Sequence, residues 1–135
     1  MNLIERMFAL KKQECFSAQS NYDLARIAEA ATEKLYTPGE LISAEEETLR
    51  RVYIVAAGSV NTSSGNTVPS VFGVASVLLN MPVLTELRAG SEGACCIRLE
   101  KNLFFTIVFQ YPALLHKIGS AEFSEELSIY KGRRL

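Results

Sequence analysis

Between Glu33 and Leu99 the chain never runs far before a turn signal stops it, and that punctuation limits the fold more than any other feature of the sequence. Pro38-Gly39, Gly58, Ser64-Gly65-Asn66, Gly73 and Gly90 divide the stretch into short pieces at 34–36, 41–43, 52–55, 60–62, 84–89 and 94–99, rich in β-formers. Glycine reaches positive φ freely and proline fixes its own φ, so such residues close turns. Pieces repeating at roughly 8–12 residues, with no long helix between them, predict antiparallel strands in a sandwich or barrel.

Helical periodicity flanks this region. Leu3, Ile4, Met7, Phe8 and Leu10 fall at helical spacing at the start of the chain. Ser20, followed three residues later by Asp23, resembles a capping box, and Leu24, Ile27, Ala28 and Ala31 mark one face of a helix over 21–31. After Leu99, a stripe of Leu103, Phe104, Ile107 and Val108 predicts a helix, and Tyr111-Pro112 opens another with proline in its tolerated first turn. Leu114, Leu115 and Ile118 continue it; Gly119-Ser120 marks a break, after which Phe123, Leu127 and Tyr130 resume at i, i+4 and i+7. The plan is α+β: N-terminal helices over 1–31, a β roll over 32–100 and C-terminal helices over 101–135. With 135 residues, 48% of them hydrophobic, the chain can bury roughly two-thirds of its unfolded surface, which fits one domain across 1–135.

The same composition is poor in chemistry. Fourteen basic residues against fifteen acidic ones leave a net charge of −1, without the basic excess that phosphate neutralisation needs, so nucleic acid is not an expected partner. With His116 the only histidine and Asp23 the only aspartate, a Ser-His-Asp triad would need both scarce residues to meet. Metal chemistry of the cupin kind wants several histidine or carboxylate ligands together. No Gly-x-x-x-x-Gly-Lys-Ser/Thr loop is present. No enzyme activity, metal or cofactor is expected. Cys15, Cys95 and Cys96 are odd in number and two are adjacent, which argues against a disulfide framework. On a strand, Cys95 and Cys96 face opposite sides, and their ordinary role is packing rather than redox sensing or zinc binding. Charged residues interrupt any N-terminal leader, and the apolar runs at 71–79 and 103–109 fall short of the ~20 residues that cross a bilayer, so a cytoplasmic chain without membrane insertion is expected.

A set of short motifs goes further. Phe16-x-x-Gln19-Ser20-x-x-Asp23-Leu24 is followed by Tyr36-Thr-Pro-Gly39-Glu40-Leu-Ile42, by Val52-Tyr53-Ile54-Val55-Ala-Ala-Gly58-Ser-Val60, by Phe72-Gly73 and by Pro82. In this order and spacing they resemble the cyclic-nucleotide-binding domain family over roughly residues 8–118. The resemblance implies a jelly-roll-like antiparallel β roll of about eight short strands, with N-terminal helices and a C-terminal helical hairpin. Residues 3–10 also resemble the lead-in to such domains where they trail a larger helical-repeat or transporter-like bacterial protein.

The resemblance further implies a site. In the family, a short helix offers backbone N–H groups to the cyclic phosphate, a glutamate holds the ribose, and an arginine pairs with the phosphate, a sound anion site. Here that site maps to Phe72, Gly73, Val74, Ala75 and Ser76, and to Val83, Leu84 and Thr85. Val74 stands where the glutamate belongs, Val83 where the arginine belongs and Leu84 at the hydroxyl position. Losing two charged hydrogen bonds removes on the order of 3–6 kcal/mol, or two to four decades of affinity. Only 13 residues separate Gly58 from Phe72, fewer than the family usually has, and Glu46 and Leu49 replace loop glycines.

Arg88 offers a route by which an anionic ligand could survive, if it turns toward the pocket in place of the missing arginine. Glu45-Glu46-Glu47 with Arg50-Arg51 reads as a solvated, self-neutralising loop or a docking patch. The tail 130–135 reads as a frayed end, or, with Ile129 and Tyr130, as a segment that folds back and fills the apolar pocket. The expected function is a non-catalytic regulatory or interaction module that has lost cyclic nucleotide binding, with a protein partner or upstream domain and self-association through the helix of Phe123, Leu127 and Tyr130. The alternative is a small-molecule sensor, for a cyclic nucleotide in an atypical pose or another ligand. A catabolite-activator type of regulator would need a helix-turn-helix after residue 135.

Overall fold

In the computed structural model, residues 1–118 and 127–130 are described. Helix α1 (Leu3–Lys11) starts at a reciprocal cap: the Asn2 side chain accepts from the Glu5 N–H, and the Glu5 carboxylate accepts from the Asn2 N–H. Helix α2 (Asn21–Ala30) has Ser20 as its N-cap, accepting from the Asp23 N–H at 3.1 Å. The expected box is one-sided there, because the Asp23 carboxylate accepts instead from the Tyr111 hydroxyl at 2.7 Å.

Five strands follow among the described residues: β1 (Thr32–Tyr36), β2 (Leu41–Ser43), β3 (Arg51–Thr62), β4 (Val71–Phe72) and β5 (Leu87–Glu100). All pairings are antiparallel, in the order β1-β5-β3-β4, with β2 also on β5. Helix α3 (Val74–Leu79) lies between β4 and β5, and α4 (Lys101–Gln110) and α5 (Pro112–Ile118) follow the sheet. The antiparallel α+β roll matches the sequence reading. The strand count does not, since Gly58 and Gly90 lie inside long strands rather than between short ones. At Gly58 the β3–β5 ladder shifts register on either side and continues. Gly58 and Gly93 both have φ +76°, and a Cβ on Gly58 would stand 2.1 Å from the Gly93 carbonyl oxygen. Glycine here lets two strands bend and touch without parting.

Alternation along the long strands serves two cores. Val52 and Ile54 of β3 and Ile97 of β5 join Leu10, Phe16, Leu24, Phe104 and Leu114 on the helix side. Tyr53 and Cys96 point into the roll with Tyr36, Val60, Phe72, Val83, Leu87, Ile129 and Tyr130. Tyr53 and Phe72 stack there at 4.8 Å between centroids.

The expected helical stripe at the C-terminus is corrected where it can be followed. Gly119-Ser120 and Phe123 lie outside the described residues, whereas Leu127–Ile129 form a single 3-10 turn and Tyr130 pairs with Val83 in an isolated antiparallel bridge. Backbone pairing into the roll replaces helix there, and Tyr130 is buried rather than offered as an outer face for self-association.

Candidate functional site

The site expected from the sequence gathers around the start of α3. Phe72 is fully buried against Tyr53, and Gly73 takes φ +98°, where a Cβ would lie 2.3 Å from the Arg51 carbonyl oxygen. Only glycine fits that approach. Val74, Ala75 and Ser76 form the first turn of α3 and are buried. Ser76 Oγ donates to the Met81 carbonyl at 2.6 Å, so its hydroxyl closes the connection after the helix.

Val83 is completely buried and bound on two sides. Its N–H donates to the Glu47 carbonyl at 2.9 Å, and its carbonyl accepts from the Glu46 N–H at 2.9 Å. Glu46 sits at φ +65°, in the left-handed region that favours glycine. On the other side Val83 bridges to Tyr130, and the Leu84 N–H donates to the Ile129 carbonyl at 2.7 Å. The Leu84 side chain is exposed. Thr85 Oγ1 accepts from the Ser63 N–H at 3.2 Å and donates to the Glu86 carbonyl at 3.0 Å.

The C-terminal segment thus enters the roll. Ile129 and Tyr130 are buried, and the Tyr130 hydroxyl oxygen accepts from the buried Gly73 N–H at 2.8 Å. A neutral phenol thereby meets a backbone donor of the cassette in which the resemblance places a phosphate. The structure brings Phe72, Ala75 and Val83 together in the roll core with Ile129 and Tyr130, the fold-back read from the sequence, and sets Gly73 against the Tyr130 hydroxyl. Val74 packs instead in the helix-side core, and Glu46 and Glu47, which the sequence does not single out as site residues, hold Val83 through their backbones.

Arg88 is not among them. Leu87 and Ala89 face the roll interior, so alternation turns Arg88 outward, where it donates to Glu86 (Nε to Oε1, 2.8 Å) and to the Gly39 carbonyl (3.0 Å). From that side its guanidinium does not enter the roll interior. The charged loop is solvated over 44–47 and at Arg50, as expected, but Arg51 pairs with Glu100 across the ladder at 2.6 Å rather than with the loop glutamates, and the Glu47 carboxylate accepts from the Ala44 N–H.

The interior is neutral. Among the described residues Ser43 and Ser76 are buried together with Tyr36, Tyr53 and Tyr130, and no charged residue is buried. Burial pushes the Tyr36 hydroxyl and the Cys96 thiol each up to about 12, and raises Tyr53 despite the nearby Arg51. Cys95 and Cys96 face opposite sides as expected, with Cys96 in the roll core. His116 is exposed on α5, and among the described residues no three His, Cys, Asp or Glu side chains come together as a metal site. No described helix is long and apolar enough to cross a membrane.

No protein-family model and no curated protein matches the chain. Solved structures do. The PKAR CBD2 domain bound to Sp-2Cl-cAMPS superposes with a TM-score of 0.69 at 17% identity, over 95% of this chain and 93% of that one. The sensor domain of the transcriptional regulator DNR from Pseudomonas aeruginosa gives 0.68 at 14%, over 93% and 90%. The regulatory subunit of a cAMP-independent protein kinase A from Trypanosoma cruzi, bound to guanosine, gives 0.66 at 16%, over 94% of this chain and 52% of that one. The chain spans about half the length of that subunit. Its fold is therefore the β roll of cyclic-nucleotide-binding regulatory domains.

Proposed function

We propose that this chain is a non-catalytic regulatory or interaction module that does not bind cyclic nucleotides in the usual way, because its own residues 129 and 130 hold the pocket. The observation that carries the reading is the Tyr130 hydroxyl on the Gly73 N–H, beside Val83 where the resemblance places an arginine. A cyclic phosphate brought to this cassette would displace a satisfied phenol and meet no buried cation among the described residues. Exposed Ile4 and Phe8 on α1 leave an apolar face suited to a protein partner or a neighbouring domain.

Thermal denaturation with millimolar cyclic AMP and cyclic GMP, confirmed by calorimetry, tests the reading. The expected result is an unmoved midpoint. A ligand at 100 times its dissociation constant adds about 2.7 kcal/mol, and a rise of roughly 4–8 °C would overturn the proposal.

One observation favours a second reading, a sensor for a neutral ligand. A cavity of about 200 Å³ beside Ile129 is lined by the hydroxyl and amide side chains of Thr62, Ser64, Asn66, Thr67 and Thr85. Such a lining suits an uncharged hydroxylated molecule, and one structural neighbour carries guanosine. Guanosine in the same assay separates the two readings: a raised midpoint with guanosine alone selects the sensor.

A further inference from the structure

A cleft of about 420 Å³ opens where the segment 48–50, Asn80 and the start of α4 meet. Thr48, Arg50, Asn80, Lys101 and Asn102 line it, with Glu100 and the buried Leu49. Its charge follows from the β3–β5 register. Arg51 stands opposite Glu100 and neutralises it through the 2.6 Å contact. The next position outward sets Arg50 beside Lys101, joined by the Lys101 N–H donating to the Arg50 carbonyl at 3.1 Å. Among the described residues neither Arg50 nor Lys101 has an ion pair, and the Lys101 ammonium lies 5.9 Å from the centre of the Phe105 ring, one turn along α4.

Arg50 lies in the bend before β3 and Lys101 opens α4, so two adjoining elements each bring a cation to the walls of this cleft. A phosphoryl group suits two cations better than a carboxylate does: one face of its oxygens takes the planar guanidinium fork and another is left for the ammonium. Thr48, Asn80 and Asn102 add neutral hydrogen-bonding groups to the same walls. The volume lies within the range of small-molecule sites and exceeds what one phosphate fills.

We propose that this cleft binds a small phosphorylated molecule, with its phosphoryl group between Arg50 and Lys101 and its hydroxyl-bearing part against Thr48, Asn80 and Asn102. The site lies outside the roll, so it operates whether or not residues 129 and 130 hold the interior.

The test follows backbone amide resonances of the full chain during titration with ribose 5-phosphate, with ribose and inorganic phosphate as separate arms. The expected result is saturable shifts at 48–50, 80 and 100–102 with ribose 5-phosphate, weaker binding of inorganic phosphate and none of ribose. Replacing both cations (Arg50→Ala with Lys101→Ala) should weaken ribose 5-phosphate about tenfold or more. Both side chains are exposed, so the thermal midpoint of the double variant should hold, which separates lost binding from lost folding. Shifts that map elsewhere, that fail to saturate by about 10 mM, or that survive the double substitution overturn the assignment. Inorganic phosphate binding as tightly as ribose 5-phosphate also overturns it, because nothing beyond the anion would then be recognised.

Discussion

Tyr130 supplies the Gly73 N–H with its acceptor, and this one atom can be removed without emptying the pocket. Tyr130→Phe keeps the ring and leaves a buried donor unpaired, which should cost about 1–3 kcal/mol in urea denaturation. A second prediction at this scale concerns pH. Tyr36 and Cys96 titrate higher in the folded chain than their ordinary 10.0 and 9.0, each reaching about 12, because burial disfavours the charged form. Their stabilising effect is complete below the ordinary values and is lost as pH rises toward the folded ones. Thermal midpoints should hold through pH 8 and fall from about pH 9 upward, and Cys96→Ala should make the fall shallower without abolishing it, because burial also raises the Cys95 thiol. Part of this scale was legible: motif spacing singles out Phe72, Val74 and Val83, and the structure buries all three. The outward turn of Arg88 was not, because strand alternation fixes a facing only once the register is known.

Among the elements, β3 and β5 show where the sequence misleads. Gly58 carries the mark of a turn, yet its positive φ serves a bulge inside a ladder that runs the length of both strands. Local sequence says that glycine is needed there; only the close approach of the Gly93 backbone says why. Gly58→Ala forces a Cβ to 2.1 Å from a backbone oxygen and strains a left-handed residue, so it should cost about 3 kcal/mol or more, read as a lowered denaturation midpoint. Helix boundaries were more accessible. The Ser20 cap and the Pro112 start both emerge as read, since these signals act within one turn. Ser20→Ala should cost about 1 kcal/mol by the same denaturation measurement.

At the scale of the whole molecule, the roll is completed by a segment distant in sequence. Ile129 and Tyr130 are buried, each worth about 1.5–3 kcal/mol against the entropy of ordering them. A chain ending at residue 126 should therefore melt several degrees lower while keeping its antiparallel sheet by circular dichroism. Periodicity placed 123, 127 and 130 on a helix face, because apolar spacing cannot register that Val83 offers a strand-like partner at 130. That bridge also orders events in time. Tyr130 leaves the ribosome 47 residues after Val83, about 2–9 s later at 5–20 residues per second. Once Glu100 has also emerged, every strand of the sheet is present and the phenol is not, so Gly73 meets solvent before it meets Tyr130.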